Sequence, residues 1–400
     1  MLTKKAASLA AVLSVVAMAI VTFVVQWPCR NSGYTDGRFT SMCYSDLASI
    51  FANPPYSNSL WPFGIDNGVN QSPLNAMIMW LISLVPVDFT THIVVMQLVL
   101  VAAMMVTVIV IIKLRQWRPL GAAMYALIPL WPFVWFVAED MISVMFAALS
   151  LWFWYRQKLG LSALALGIGA AAGAWGLVLL VGYGVDQYRR EETLTMIRLS
   201  LISIATSIVL SLPRIIEGQP LVVKGDLTAG EGSPLYIWSV ITESDPVSNI
   251  FVVFLGFFAI GAFARWASQL PFDFRLEPLI AIFVMIQILS GPTLSPQVFT
   301  HLLWILVLAI PRKTFLLGFS LITIIYVSSV WLRFEAGLEN GKGISLQLYA
   351  LMCAALWLGL LMTIRKCARV MTIQGTDEVM QTLSVAMSDS AKSSRIIRVD

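Results

Sequence analysis

Charged residues are scarce in this sequence, and their scarcity limits the class of protein that it can be. The chain has 400 residues, of which 12% are charged and 58% are hydrophobic. A typical soluble domain carries about 25% charged residues, so an ordinary soluble fold is excluded. The mean hydropathy of +0.81 points the same way. These values predict a polytopic membrane protein.

The sequence also lacks the motifs of several enzyme classes. It contains no Walker loop, no Rossmann glycine pattern, no HExxH motif and no metal-ligand spacing. Nucleotide-driven transport, dehydrogenase chemistry and membrane zinc proteolysis are therefore disfavoured. Lys and Arg number 26 against 22 Asp and Glu, but no basic run is long enough to bind nucleic acid.

Basic residues instead stand at the ends of hydrophobic segments, where they mark the cytoplasmic side of the membrane. The segments predicted are 6–25, 74–85, 90–112, 120–137, 141–155, 161–186, 194–212, 249–266, 279–290, 298–310, 315–331 and 345–362. Segment 74–85 is too short to cross about 30 Å of hydrocarbon, so it is predicted to be interfacial or re-entrant. The expected fold is an all-α bundle of about 10–12 transmembrane helices.

Segment 161–186 conflicts with the charge rule if it crosses as one helix. Arg189 and Arg190 would then lie outside, and every later basic cluster would be inverted. The run Gly173-Ala174-Trp175-Gly176 is a natural break, so two half-crossings are predicted, with their freed backbone buried in protein. With this break, the basic clusters that include Lys4, Arg115, Arg156, Arg189, Arg312 and Lys366 all lie inside.

This topology predicts a plasma-membrane protein that crosses the bilayer many times and has both termini in the cytoplasm. Residues 1–366 are predicted to form one transmembrane domain, with long extracytoplasmic loops at 27–73 and 213–248. Residues 367–400 are predicted to be a polar cytoplasmic tail that carries no site.

The first outer loop contains Cys29 and Cys43, 14 residues apart. In an oxidising compartment they are expected to form a disulfide that stabilises the protein by about 3 kcal/mol. The alternative is a pair of unrelated buried thiols.

Nine ionisable residues are expected on the outer face: Asp36, Asp46, Asp66, Glu139, Asp140, Asp226, Glu231, His92 and His301. Asp46 stands out because it lies between Tyr44 and the apolar Leu47, Ile50 and Phe51, a pattern that predicts a short helix at the membrane surface. A carboxylate held there is suited to general-base chemistry on a hydroxyl. The competing use of Asp46 is to cap that helix.

Residues near the C-terminal third form a second candidate group. His301 follows Gln297 by four residues, one helical turn, so both side chains can face one cavity. A single histidine in an apolar helix is more commonly a hydrogen-bonded packing residue.

Four sequence features together resemble a known family. They are Trp27-Pro28-Cys29 followed by Cys43-Tyr44-Ser45-Asp46, Pro55-Tyr56 and Pro73; Glu139-Asp140 opening a helix; Gly232-Ser233 followed by Tyr236 and Trp238; and Ser295-Pro296-Gln297 followed by Trp304. The sequence resembles the actinobacterial polytopic glycosyltransferases of the GT-C superfamily, in particular the polyprenol-phosphate-mannose-dependent α-mannosyltransferases.

The resemblance implies a sugar donor carried on polyprenyl phosphate, with mannose as the expected sugar, and transfer to an envelope glycolipid or glycan outside the cytoplasm. It implies that an aspartate of the first outer loop is the base, and by position that residue is Asp46. Tyr44 and Ser295 are predicted to bind the substrate. Asp140, with Glu139 beside it, would orient the acceptor or a divalent metal, and His301 or Gln297 would meet the donor phosphate. All are expected to line one outward-opening cavity.

The sequence departs from the family at two positions. Family members tend to carry lysines where this chain has Gly173 and Pro292, and those cations could hold the lipid phosphate. Candidate substitutes are Arg38, Arg214, Lys224 and Lys342. Two alternatives to an active transferase therefore stay open: a catalytically degenerate relative that binds lipid or partners within an envelope complex, and a transporter of lipid-linked sugars. The near absence of charges within the spans disfavours the transporter.

Overall fold

The computed structural model describes the chain at 4–34, 37–64, 69–114, 120–219, 228–245, 248–270, 274–310, 312–337 and 343–396. Within these ranges the side chains of 4, 120, 174 and 373–396 are not described. The predictions made for Asp36, Asp66, Arg115, Lys224, Asp226 and Lys342 concern residues outside the described ranges.

The described residues are organised into α-helices and contain no β-strand, only an isolated bridge between Thr228 and Ser248. In chain order the helices are α1 Lys4–Val25, α2 Trp27–Asn31, α3 Asp46–Ala52, α4 Pro73–Ser83, α5 Phe89–Leu114, α6 Leu120–Ala126, α7 Trp131–Val134, α8 Met141–Tyr155, α9 Leu159–Ala172, α10 Val178–Arg189, α11 Thr193–Ile216, α12 Pro234–Ile241, α13 Ile250–Ser268, α14 Leu276–Ser290, α15 Val298–Ala309, α16 Lys313–Ala336 and α17 Leu346–Ile396.

Six of these helices are long and apolar enough to cross a membrane: α1, α5, α11, α13, α16 and the Leu346–Thr372 part of α17. Five shorter apolar helices, α4, α8, α9, α14 and α15, lie among them. Helix α13 exposes Phe251, Phe254, Phe257 and Phe258, as a helix surrounded by lipid would. The protein is an all-α multi-span membrane protein, as the composition predicted.

Helices α14 and α15 lie at the centre of the bundle. Every residue of α15 is buried, and α14 is buried from Leu276 through Ile286. A helix that is hydrophobic on all sides lies either in a protein core or in lipid, and the burial of α14 and α15 shows that other helices surround them. The turn between these helices, residues 291–297, is therefore held in place by the best-packed part of the protein.

The predicted break in segment 161–186 is confirmed. Helix α9 ends at Ala172, Gly173 is extended, and α10 begins after a short 3₁₀ turn at Ala174–Leu177. The carbonyl oxygens freed at the break accept hydrogen bonds from other helices: Asn75 donates to Ala172 at 2.8 Å and Ser143 donates to Gly173 at 3.0 Å. This is how non-helical backbone is accommodated at membrane depth.

The prediction of one crossing over 120–137 is wrong. That segment forms α6 and α7 instead, separated by a turn that contains Pro129. Proline lacks an N–H group and disfavours helical geometry in the residue before it, so the helix ends there. The Trp131 indole nitrogen donates to the Tyr125 carbonyl at 2.7 Å and closes the turn within the core.

The end of the chain also differs from expectation. Segment 345–362 and the start of the tail at 367–400 were predicted as separate units, but α17 continues without a break from Leu346 to Ile396. Which side of the membrane each terminus occupies stays a prediction.

Candidate functional site

Asp46 is the first residue of α3, and its backbone is fixed to the segment before α8. The Asp46 N–H donates to the Val137 carbonyl at 2.8 Å, and the Ser45 hydroxyl donates to the Phe136 carbonyl at 2.6 Å. Ser45 occupies the N-cap position, so Asp46 does not cap the helix. Its carboxylate accepts a hydrogen bond from the Tyr44 hydroxyl at 2.6 Å. These bonds position the side chain rather than leaving it free in solvent.

The loop that leads to Asp46 is closed by a disulfide. Cys29 and Cys43 are bonded, with an S–S distance of 2.05 Å. Beside the bridge, the Arg38 guanidinium lies 5.0 Å from the Phe39 ring centroid and 5.6 Å from that of Tyr44. The disulfide-closed loop therefore places Arg38 and Phe39 beside Tyr44, the residue whose hydroxyl bonds Asp46.

A cavity of about 350 Å³ opens in front of Asp46, and we call it the Asp46 cavity. The described residues that line it are Phe39, Tyr44, Asp46, Val137, Glu231, Thr293, Leu294, Ser295, Pro296, Gln297, Val330, Trp331 and Phe334. It joins the first outer loop to the turn between α14 and α15. Four residues predicted for the site, Tyr44, Asp46, Ser295 and Gln297, thus share one cavity.

Residues 230–232, which precede α12, hold the turn that forms the opposite wall of the Asp46 cavity. Leu294 N–H donates to the Glu231 carbonyl at 3.0 Å, and Gly230 N–H donates to the Pro292 carbonyl at 2.8 Å. Gly232 has φ +80°, and a Cβ there would lie 2.8 Å from the Cβ of Leu294. Only glycine tolerates that conformation and that approach.

The Gly232-Ser233 motif therefore has a structural role at the cavity. Ser233 caps α12 by accepting from the Tyr236 N–H at 3.3 Å, with Pro234 at the first helical position. The same geometry brings Glu231 to the cavity wall, a placement that sequence reasoning did not single out. Burial raises the pKa of Glu231, and the positive charge of Arg333 opposes the rise.

Asp140 and His301 form a pair behind this wall. Asp140 Oδ1 lies 2.9 Å from His301 Nε2, and the imidazole stacks on Trp175 with 5.1 Å between ring centroids. Neither side chain is among the described residues that line the Asp46 cavity. The expectation that both would line it is corrected: each is occupied by the other, since α8 and α15 pack together at this level.

The three carboxylates of this region influence one another. Burial raises the pKa of Asp46, the Tyr44 hydrogen bond opposes the rise, and the negative charge of Asp140 adds to it. Glu139 is half-buried, and burial together with the charges of Asp140 and Asp46 raises its pKa to about 7. Burial and the neighbouring negative charges therefore make Asp46 and Glu139 better proton acceptors.

Arg214 was expected near the donor phosphate, but it has another use. Its side chain is buried, and its two terminal nitrogens donate to the carbonyls of Gln71 and Val69, both at 2.9 Å. These bonds fix the end of the first outer loop. Arg214 does not line the Asp46 cavity within the part of the chain that the structure describes.

The two departures from the family pattern are built into the packing. A side chain at Gly173 would meet the Cβ and Oγ of Ser143 at 3.3 Å, and Pro292 accepts the bond from Gly230. Of the suggested substitute cations, Lys224 and Lys342 lie outside the described residues. Of the cations suggested to replace the lysines, Arg38 contacts the wall of the Asp46 cavity, through the rings of Phe39 and Tyr44.

Two further findings complete the site. His92, one of the outer-face candidates, lies with Nε2 2.9 Å from the Val85 carbonyl and stacks on Phe51, so it is used in packing. Over the described ranges, no group of three or more His, Cys, Asp or Glu side chains is placed to hold a metal ion.

Compared with known proteins, the chain matches no family model, no curated protein and no solved structure.

Proposed function

We propose that the protein is a membrane glycosyltransferase that moves a sugar from a polyprenyl-phosphate donor to an envelope glycolipid or glycan on the extracytoplasmic side. The resemblance of the sequence to mannosyltransferases favours mannose as the sugar. The observation that carries the proposal is Asp46: a positioned carboxylate with a raised pKa, on the wall of a cavity of about 350 Å³. Small-molecule sites enclose about 300–1,000 Å³, so the cavity is large enough for a substrate group.

The reaction requires one base. An acceptor hydroxyl attacks the anomeric carbon of the donor, a C–O bond forms there, and the bond between that carbon and the phosphate oxygen breaks. Asp46 takes the hydroxyl proton, and the polyprenyl phosphate leaves with the electron pair. A base with a raised pKa accepts the proton more readily near neutral pH, which favours Asp46 in this role.

The walls of the cavity suit a sugar. Tyr44, Phe39, Trp331 and Phe334 form a cluster of aromatic rings whose neighbouring centroids are 5.1–6.2 Å apart. Aromatic faces provide apolar contact for the C–H faces of a sugar, while Ser295 and Gln297 offer hydrogen-bonding groups from the opposite wall. We assign Arg38, held against Phe39 and Tyr44, to the donor phosphate in place of the family lysines.

The proposal is tested with the purified protein in liposomes that contain radiolabelled polyprenyl-phosphate mannose and a crude envelope-lipid acceptor fraction. We expect label to move to the acceptor from the lipid-linked donor and not from a nucleotide-linked mannose. Liposomes without the protein are the control. The proposal would be wrong if the wild-type protein transferred no sugar from a lipid-linked donor yet co-purified with an envelope protein. That result would favour the alternative of a catalytically degenerate subunit of an envelope complex.

A further inference from the structure

A second polar cavity lies at the end of the bundle opposite the Asp46 cavity. Helix α8 begins next to Asp140 and ends at Tyr155, and its 15 residues span about 22 Å. Helix α14 likewise runs from this end toward the turn at 291–297. The cavity measures about 450 Å³ and is lined by the ends of α5, α8 and α14. We call it the basic pocket.

Four charged side chains line the basic pocket, Lys113, Arg156, Arg275 and Glu277, together with Trp152 and Tyr155. Glu277 is fully buried and already satisfied. Its Oε1 accepts from Arg275, and its Oε2 accepts from the Tyr155 hydroxyl at 2.9 Å. The negative charge of Glu277 is therefore neutralised by Arg275.

Lys113 and Arg156 are left with no carboxylate within ion-pair distance among the described residues. Both lie against the ring of Trp152: Lys113 Nζ is 4.5 Å from the ring centroid and Arg156 Cζ is 5.7 Å from it. The indole therefore contacts both positive charges at the rim of the cavity. An anion placed between them would relieve their repulsion and accept hydrogen bonds from both.

Both cations are exposed, and they stand where helices α5 and α8 end. Cations at the ends of transmembrane helices lie at the level of lipid headgroups, and basic pockets between such helices bind anionic headgroups. The arrangement of a lysine, an arginine and a tryptophan matches a phosphodiester, because Arg binds two phosphate oxygens and the indole lies in the headgroup layer.

We propose that the basic pocket binds the phosphate of an anionic phospholipid of the adjoining leaflet, with Lys113 and Arg156 contacting the phosphate and Trp152 supporting both. By the charge rule that leaflet is the cytoplasmic one. The site is separate from the proposed sugar transfer and does not depend on it.

The test uses the full-length protein in detergent and counts the lipids it retains by native mass spectrometry during titration with phosphatidylglycerol. We expect the variant with both Lys113→Gln and Arg156→Gln to bind it roughly tenfold more weakly than wild type. Lys113→Arg keeps the charge and should bind as wild type does. Arg365→Gln removes an exposed cation elsewhere and should also leave binding unchanged.

Two further arms decide the source of the phosphate. Phosphatidylcholine, whose phosphate is neutralised by choline, should be retained equally by wild type and the double variant. Inorganic phosphate at millimolar concentration should raise the melting temperature of neither. Equal retention of phosphatidylglycerol by wild type and by a folded double variant would overturn the proposal. Stabilisation of wild type by inorganic phosphate alone would overturn the assignment to a lipid.

Discussion

Two carboxylates at opposite ends of the bundle are held in opposite ways. Glu277 is completely buried, and both of its oxygens are occupied, by Arg275 and by Tyr155. Asp46 is half-buried and accepts one hydrogen bond, from Tyr44, while its ionisable neighbours Glu139 and Asp140 carry charge of its own sign. A carboxylate whose two oxygens are both bonded is held in place by its partners, whereas one with a raised pKa among like charges is prepared to take up a proton.

The largest effect expected from this contrast is on catalysis. Asp46→Asn keeps the shape of the side chain but removes its ability to accept a proton, so the rate of sugar transfer should fall by about 10²–10⁴-fold. The measurement is label transfer in liposomes, with melting temperature as the check on folding. Asp88→Asn, the same substitution at an exposed carboxylate that bonds Thr91, should transfer normally. Retained transfer in Asp46→Asn would show that another group is the base.

The next largest effect is on stability, at the end of the bundle that contains Asp46. There a disulfide, rather than a salt bridge of Asp46, fixes the loop. The Cys29–Cys43 disulfide closes the loop before Asp46, so replacing both cysteines with alanine should lower the free energy of unfolding by about 3 kcal/mol. Thermal denaturation of the purified protein measures it. Reductant should destabilise wild type to a similar extent and leave the double variant unchanged. The prediction would be contradicted if reductant left the melting temperature of the wild-type protein unchanged.

Glu277 should show the opposite behaviour to Asp46, a loss of stability without a loss of chemistry. Glu277→Gln leaves Arg275 without its counter-charge, and because Arg275 is partly exposed we expect a loss of about 1–3 kcal/mol. Sugar transfer per folded molecule should be unchanged. Glu192→Gln, at an exposed glutamate, is the matched control and should alter neither quantity. A selective fall in transfer by Glu277→Gln would remove the distinction between the two ends.

The smallest effect is a change in pH dependence at the acidic end. The pKa of Glu139 is about 7 in the folded protein and about 4.3 in an unfolded chain. Between these values the folded state holds a proton that the unfolded state has released, so this residue makes the free energy of unfolding fall as pH rises.

Glu139→Gln should remove that dependence, which amounts to at most about 1.4 kcal/mol per pH unit. Melting temperatures measured from pH 5 to pH 7 should therefore decline less steeply in Glu139→Gln than in wild type. Asp88→Asn should keep the wild-type slope, because the pKa of Asp88 is lowered by its bonds to Thr91 and lies below this range. Parallel curves for wild type and Glu139→Gln would refute the assigned pKa.

Features that follow from local chemistry were predictable from the sequence. The break at Gly173 followed from the positions of basic residues, and the α3 helix at Asp46 followed from its apolar neighbours. The order of the motifs also anticipated that Asp46 and the Ser295-Pro296-Gln297 turn would face each other. These inferences need only the sign of a charge, the spacing of apolar residues or the resemblance.

Features that depend on distant partners were not predictable. Arg214 donates hydrogen bonds to the backbone carbonyls of Val69 and Gln71. Every residue has a backbone carbonyl, so the sequence does not indicate which ones will accept from an arginine. Asp140 and His301 were both recognised, but their mutual bond depends on how α8 packs on α15. Glu231 reaches the cavity only because Gly232 permits a close approach to Leu294, a contact that spans about sixty residues of sequence.

The buried pair α14 and α15 has a consequence for how the protein is made. With 15 and 12 residues, about 22 and 18 Å, both are too short to cross a bilayer of about 30 Å alone. Among the described α-helices, thirteen are synthesised before them, and α16 and α17 follow them. We therefore expect this hairpin to enter the membrane against helices already in place. Its turn would form the wall facing Asp46 late in biogenesis, after the first outer loop has closed.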